Sequence, residues 1–264
     1  MEISQPSSHA WARAAVPTAT SDRRTTVLRG GATVVAYLSP GAPDDALHIA
    51  ADEAVFRGAP LTLVERMGGD IATYLTSVSR NADLLLVGLP DLVSGANVLS
   101  PLTRALAHRS YCPVMFVPPG AALSGFSEIV CGIDRSTGST AALKWAAREA
   151  AMRGVTVLAE QVQPWGETQR DIHADGPAQP LSSWVFAQSI SEPTTILCRL
   201  VDGRSTASVL VDTAAERQAV LVIGSHRGDS ETHRCVTRSV VGQVTVPVVV
   251  VPPEIPAPRK PPGT

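Results

Sequence analysis

The chain carries one helix twice. "DALHIAADEAVFRG" (45–58) aligns with "AALKWAAREAAMRG" (141–154) at an offset of 96, matching Ala46 with Ala142, Leu47 with Leu143, Ala50 with Ala146, Ala51 with Ala147, Glu53 with Glu149, Ala54 with Ala150, Arg57 with Arg153 and Gly58 with Gly154. A glycine directly after a basic residue is a helix stop, because it adopts left-handed backbone without a Cβ penalty. Further on, "ADLLLVG" (82–88) matches "QAVLVIG" (218–224) at 136, and "PVMFVPP" (113–119) matches "PVVVVPP" (247–253) at 134. The offset widens by 40 residues between the first matched block and the second, so the first copy lacks about that length in its middle.

The longer copy predicts strand "EIVCGI" (128–133), a helix near 138–152, strand "VTVLAEQV" (155–162), and then a polar loop with a helix around "PLSSWVFAQSI" (180–190). Strand "TTILCRLV" (194–201), helix "STASVLVDTAAERQ" (205–218), strand "AVLVIG" (219–224), a short helix within 232–244 and the strand "PVVVVPP" complete it. Short apolar runs alternating with helical patterns make a parallel sheet joined by right-handed crossovers. The first copy keeps its first helix, the helix–strand pair "GGDIATYLTSVSRNADLLLVG" (68–88) and its last strand, with room for four strands. We therefore expect a truncated unit over 31–120 and a complete one over 126–253. Residues 1–30 are polar and aperiodic and residues 254–264 proline-rich, which predicts mobile ends. Each last strand is an apolar, β-branched run whose open edge is a liability, so the two units are expected to pair through "PVMFVPP" and "PVVVVPP".

Composition agrees with that class. Apolar residues make up 44% and aromatics 4%, which leaves a core of Val, Ala and Leu, the palette of a parallel α/β protein. With 22 basic against 24 acidic residues and no Lys/Arg block, a nucleic-acid partner is not expected. No apolar run reaches the roughly 18 residues that span a bilayer, and residues 1–30 lack the apolar stretch of a signal peptide, so the expectation is a soluble, cytoplasmic protein without a membrane partner. Cys112, Cys131, Cys198 and Cys235 are scattered with no C-x-x-C pair, which argues against a zinc site and a disulfide framework; no metal is predicted.

"VCGIDRSTGSTAALKWAAREAAMRG" followed by "AVLVIGSHRG" and "VPVVVVPP" resembles the universal stress protein (UspA) family, in the tandem arrangement common among actinobacteria. The resemblance covers 126–253 well and 31–119 weakly. It implies two tandem flavodoxin-like (Rossmann-like) domains, with strand order 3-2-1-4-5 in the complete one. In one branch of the family it also implies ATP bound at the carboxyl ends of strands 1 and 4. Physical chemistry points to the same place, since the crevice of such a sheet opens where strand order reverses.

The candidate nucleotide-binding residues follow from that alignment. Asp134 matches the aspartate that contacts the nucleoside; as a residue after a strand it is equally suited to cap the next helix, and the two roles can coexist. Ser136, Thr137 and Ser139 read as caps. Val162 matches the position whose backbone faces adenine, and a lone valine there is also a core residue. The family's ATP loop reads Gly-x2-Gly-x9-Gly-Ser/Thr. Gly224 and Ser225 open it, but the second glycine falls on Arg227 with Gly228 one residue late, and the closing pair, counted back from Pro247 by the family's usual helix length, falls on Arg234 and Cys235, which leaves the loop about three residues short. A side chain at a close-approach glycine keeps the backbone from a phosphate, and a thiol replaces a hydroxyl poorly. Arg227, Arg234 and Arg238 can pair with phosphate oxygens directly or can be solvated surface residues. His226 has no Asp or Ser partner beside it and reads as a loop histidine. Cys235, flanked by arginines at a helix start, is expected to be the most reactive thiol. In the first copy Leu38 aligns with Asp134, and a leucine accepts no hydrogen bond from a ribose.

The resemblance implies a regulatory or sensor protein of the stress response, not an enzyme, and the residues of the loop predict a degraded adenine-nucleotide pocket in its second half that binds ATP or a related nucleotide weakly. The alternative is an interaction scaffold without a ligand. A slow nucleotide hydrolase is disfavoured, because no metal carboxylate or general base is placed at the phosphate end. A homodimer and an unidentified protein partner are compatible with all three.

Overall fold

A computed structural model describes residues 33–64, 70–90, 100–121, 126–164, 179–203, 205–225, 231–243 and 245–253. The first copy contributes β1 (Val34–Leu38), α1 (Asp45–Arg57), β2 (Leu61–Val64), α2 (Ile71–Val78), β3 (Leu84–Gly88), α3 (Pro101–Arg109) and β4 (Val114–Val117). The second contributes β5 (Glu128–Gly132), α4 (Thr137–Arg153), β6 (Thr156–Pro164), α5 (Leu181–Ala187), β7 (Ile196–Gly203), α6 (Thr206–Glu216), β8 (Val220–Gly224), α7 (Glu231–Val241) and β9 (Val248–Val251). Both predicted glycine stops are present: Gly58 and Gly154 end α1 and α4 at φ 58° and 68°. The terminal segments expected to be mobile lie outside the described residues.

Among the described residues nine strands form one sheet of order β2-β1-β3-β4-β9-β8-β5-β6-β7. Counted within its own half, the second copy reads 3-2-1-4-5, and the first reads the same without strand 3. The length missing from the first copy thus corresponds to α5 and β7. Strands β3, β4 and β9 are buried at every residue, as strands covered on both faces must be. One face carries α1, α4 and α5 through residues such as Ala46, Ala50, Leu143, Ala146 and Val185. The other carries α2, α3, α6 and α7 through Leu75, Leu106, Leu210 and Val240. Alanine dominates the α1 and α4 contact, which lets those helices lie close to the sheet.

The halves join as their last strands predicted. Strand β4 pairs antiparallel with β9, in the register Val114 with Val250, Met115 with Val249 and Phe116 with Val248. Met115 and Val249 are themselves repeat equivalents at the offset of 134, so a pseudo-two-fold axis passes through that pair. Near this axis α1 and α4 bring together the two ion-pair motifs that the repeat duplicated. Arg57 reaches Glu149 at 2.8 Å and Arg153 reaches Glu53 at 2.6 Å, while the pairs within each helix, Arg57 with Glu53 and Arg153 with Glu149, stand at 3.1 and 3.3 Å. Both carboxylates are almost fully buried. Burial alone would lower the pKa of Arg57, but attraction by Glu149 and Glu53 outweighs it and raises it. Four mutually satisfied charges make the arrangement tolerable; removing one leaves a buried charge unpaired.

Candidate functional site

The reversal of strand order in the second half falls between β5 and β8, with β6 on the far side of β5. The turn leaving β5 is built by its own polar residues. Asp134 is exposed, and its Oδ1 accepts from the Ser136 backbone N–H at 2.9 Å. Arg135 sits in left-handed backbone at φ 63°. Ser136 is the N-cap of α4, its Oγ accepting from the Ser139 N–H at 3.1 Å. Asp134 therefore shapes the turn, and the helix cap expected among these hydroxyl residues is Ser136.

Across the crevice, Gly224 ends β8 against the first turn of α4. A Cβ on Gly224 would lie 2.2 Å from the Gly138 carbonyl carbon and 2.7 Å from the Ser139 nitrogen, and one on Gly138 would lie 2.6 Å from the Ser225 oxygen. Helix and strand meet here backbone to backbone, which two glycines permit and no other pair does. The sequence already sets the stretch from Asp134 to Gly138 along the crevice, and a glycine inside a helix start is a signal of close packing. Ser225 is buried, and its N–H donates to the Val251 carbonyl at 2.8 Å. Val162, two residues beyond the Glu160 carbonyl that accepts from the Ile133 N–H, packs into the core on the α6 side. Arg135 reaches over the end of β6: Nε donates to Gln161 Oε1 at 3.2 Å and Nη2 to the Gln179 carbonyl at 2.7 Å.

Asp134, Val162, Gly224 and Ser225 thus stand at one end of the sheet, the carboxyl ends of β5, β6 and β8. Arg227 and Gly228 lie outside the described residues, as does His226. Arg234 and Cys235 fall within α7, but their side chains are outside what is described, so the expected reactivity of Cys235 is not addressed; Arg238 is exposed in the last turn of that helix. Of the remaining thiols, Cys112 and Cys131 are buried and Cys198 is exposed on β7. Burial pushes the Cys112 thiol up to about 12 and raises that of Cys131 as well. Among the described residues no group of three or more His, Cys, Asp or Glu could hold a metal ion.

The first half corrects one alignment. Strand pairing sets Val34 beside Leu61 and Leu84, and Ile129 beside Val157 and Val220, so Val34 is the counterpart of Ile129. Carried along the strand, this puts Leu38 at the place of Ile133 and Ser39, not Leu38, at the place of Asp134. Helix α1 and strand β2 align with α4 and β6 at 96 but β1 aligns with β5 at 95, because the turn after β1 is one residue shorter. Leu38 turns inward instead: its Cδ2 and the Cβ of Ala46 would lie 3.0 and 2.8 Å from a Cβ on Gly88, the counterpart of Gly224.

The universal stress protein family model matches residues 125–252. A curated relative, a universal stress protein of Mycobacterium tuberculosis, is 26% identical over 201 residues, which cover 70% of this chain and 66%, just under two thirds, of that protein. Among solved structures, a universal stress protein from Archaeoglobus fulgidus is 15% identical and superposes with a TM-score of 0.58 over 85% of this chain and 89% of its own. A protein of unknown function from Pseudomonas aeruginosa, 13% identical, superposes at 0.53 over 83% of this chain and 82% of its own. These two share the fold. The family model covers the second half, the relative extends across both halves, and the sheet has the order and repeat that the resemblance implied: residues 125–252 match the universal stress protein family, and across both halves the chain is similar to universal stress proteins.

Proposed function

We propose that this protein is a regulatory member of its family, acting in the stress response, whose second half keeps a degraded pocket for an adenine nucleotide and whose first half serves as its packing partner. One observation carries the reading: Asp134, Val162 and Gly224 stand together at the switch point of a doubly wound sheet, where ligands of such folds bind. The degradation is argued from Arg227, Arg234 and Cys235 in place of the loop's glycines and hydroxyl. Each charge-assisted N–H to phosphate bond contributes roughly 1.5 to 3 kcal/mol, and losing about two of them weakens binding by about two to four decades. Isothermal titration of ATP, ADP and AMP into wild type and Asp134→Ala tests this. Weak binding that falls further in the variant is expected; submicromolar ATP affinity, or indifference to Asp134, refutes it.

The reading as a scaffold without ligand is favoured by a different observation. Phe186 on α5 is 89% exposed, and Leu197 and Leu200 on the open edge strand β7 are each 49% exposed. Exposed apolar side chains grouped on one edge suit a protein contact. Native mass spectrometry of the purified protein separates the two readings by whether a nucleotide travels with it.

A further inference from the structure

The duplicated helices α1 and α4 are alike on the face they bury and opposite in charge on the face they expose. Toward the sheet both present alanines, and both contribute a Glu–Arg pair to the shared cluster. On the exposed side Asp52 of α1 stands where α4 has Arg148, and His48 where α4 has Lys144, at the offset of 96. With Asp45 one turn earlier the outer stripe of α1 is acidic, while Lys144 and Arg148, four residues apart, make that of α4 basic. Among the described residues Asp45, Asp52, Lys144 and Arg148 make no ion pair. The last turns of the two helices, which the cluster brings together, are apolar on the outside: Val55 is 82% exposed, Phe56 42% and Met152 47%. Phe56 and Met152 are repeat equivalents, so the patch straddles the pseudo-two-fold axis. The Arg153 guanidinium stacks on the Phe56 ring at 4.1 Å, which joins the patch to the cluster beneath it.

We propose that this face is the contact through which two copies of the chain pair, with α1 of each copy lying against α4 of the other. The last strands cannot serve, because β4 and β9 are already paired within one chain and buried. A second copy can close on the face about a two-fold axis in two ways. Laying each helix on its own counterpart sets aspartates against aspartates and cations against cations. Laying α1 on α4 sets acid against base at both ends of the contact, with the apolar patches meeting between them, and like charges opposed across an interface are costly. The surface is thus complementary to itself in one arrangement only. Residues 1–30, with four arginines against Glu2 and Asp22, would suit the acidic stripe but not the basic one. The pairing does not involve the nucleotide pocket, which lies at the strand ends.

The test is sedimentation equilibrium of the full-length protein and its charge reversals. Wild type is expected to form a dimer that weakens as salt rises. Asp52→Arg and Arg148→Asp should each weaken it by about tenfold or more, since the two-fold axis repeats every reversed contact. Both side chains are exposed, so unchanged melting temperatures show that the fold is intact. Mixed in equal amounts, the two variants should pair as strongly as wild type, because each restores the charge that the other has lost. Val55→Ser should weaken the dimer while leaving its salt dependence unchanged. A monomeric wild type overturns the pairing and leaves the face to residues 1–30 or to another protein. A dimer indifferent to both reversals also overturns it and places the contact elsewhere, with the β7 edge next to be tried. Reversals that weaken the dimer without rescue in the mixture overturn the crossed arrangement of α1 and α4.

Discussion

The two crevices of this molecule occupy equivalent places and are closed in different ways. Over Gly88 the first half lays side chains, the methyls of Ala46 and Leu38; over Gly224 the second lays helix backbone, Gly138 and Ser139. Those side chains present apolar methyls at the end of β3. Backbone packed on one wall leaves the opposite wall, with Asp134, for chemistry. Near the pseudo-two-fold axis, by contrast, the halves stay alike, and both copies of the Glu–Arg motif serve one cluster. Duplication has preserved symmetry where the halves touch and relaxed it where one copy faces solvent.

The comparison can be broken most decisively at the shared cluster. Glu53→Gln and Glu149→Gln should each destabilise the chain by about 3 kcal/mol in denaturant unfolding, because each leaves a buried arginine short of a partner. Similar losses are expected from equivalent positions, and a large loss at one with none at the other would show that the axis is only nominal. Next in size, Gly224→Ala should cost about 2 to 3 kcal/mol, since the added methyl meets backbone that no rotamer can move. Gly88→Ala meets the Cβ of Ala46 at 2.8 Å, which yields only by a shift of α1, and the movable Cδ2 of Leu38 at 3.0 Å, and should cost less, about 1 to 2 kcal/mol; equal costs would erase the distinction between the two closures.

A smaller effect distinguishes the turns. Asp134→Ala removes the bond to the Ser136 N–H and should lower stability by about 1 kcal/mol, while Ser39→Ala in the first half should change it by less. The smallest concerns Glu160, which occupies the place of Val64 and is fully buried, with its Oε1 accepting from Thr213 and Arg199. Burial raises its pKa above the ordinary 4.5, the attraction of Arg199 notwithstanding. A carboxyl whose folded pKa is raised stabilises the fold when protonated and loses that contribution as pH climbs from the unfolded value through the folded one. Wild type should therefore gain on Glu160→Gln by under about 1 kcal/mol as pH falls through that window. A gain as pH rises instead would show that the Arg199 pair governs the site.

The sheet was legible because period and repeat are coarse signals that survive substitution. "PVMFVPP" and "PVVVVPP" announced the seam, and the widening offset announced the missing α5 and β7. What stayed hidden depended on single residues. An offset that changes from 96 to 95 inside one turn is invisible without strand pairing, so Leu38 took the place of Ser39. Why a glycine is needed at 138 depends on the backbone of Gly224, which lies 86 positions away in sequence. Arg135 carries no signal of its own in the sequence, since its left-handed backbone and its reach to Gln161 exist only in three dimensions.

The antiparallel seam has a consequence for how the chain assembles. Val114 cannot meet Val250, 136 positions further on, until the whole second half has been made, so this contact carries one of the longest loop closures in the molecule. During synthesis β4 leaves the ribosome long before β9 exists, a fully apolar edge waiting for its mate. The first half is also the one without a third strand, and so has the smaller sheet with which to persist in the meantime. Folding should then show a slow phase set by closure of the seam, and a chain that stops before Val248 should leave β4 open to pair with whatever strand it meets first.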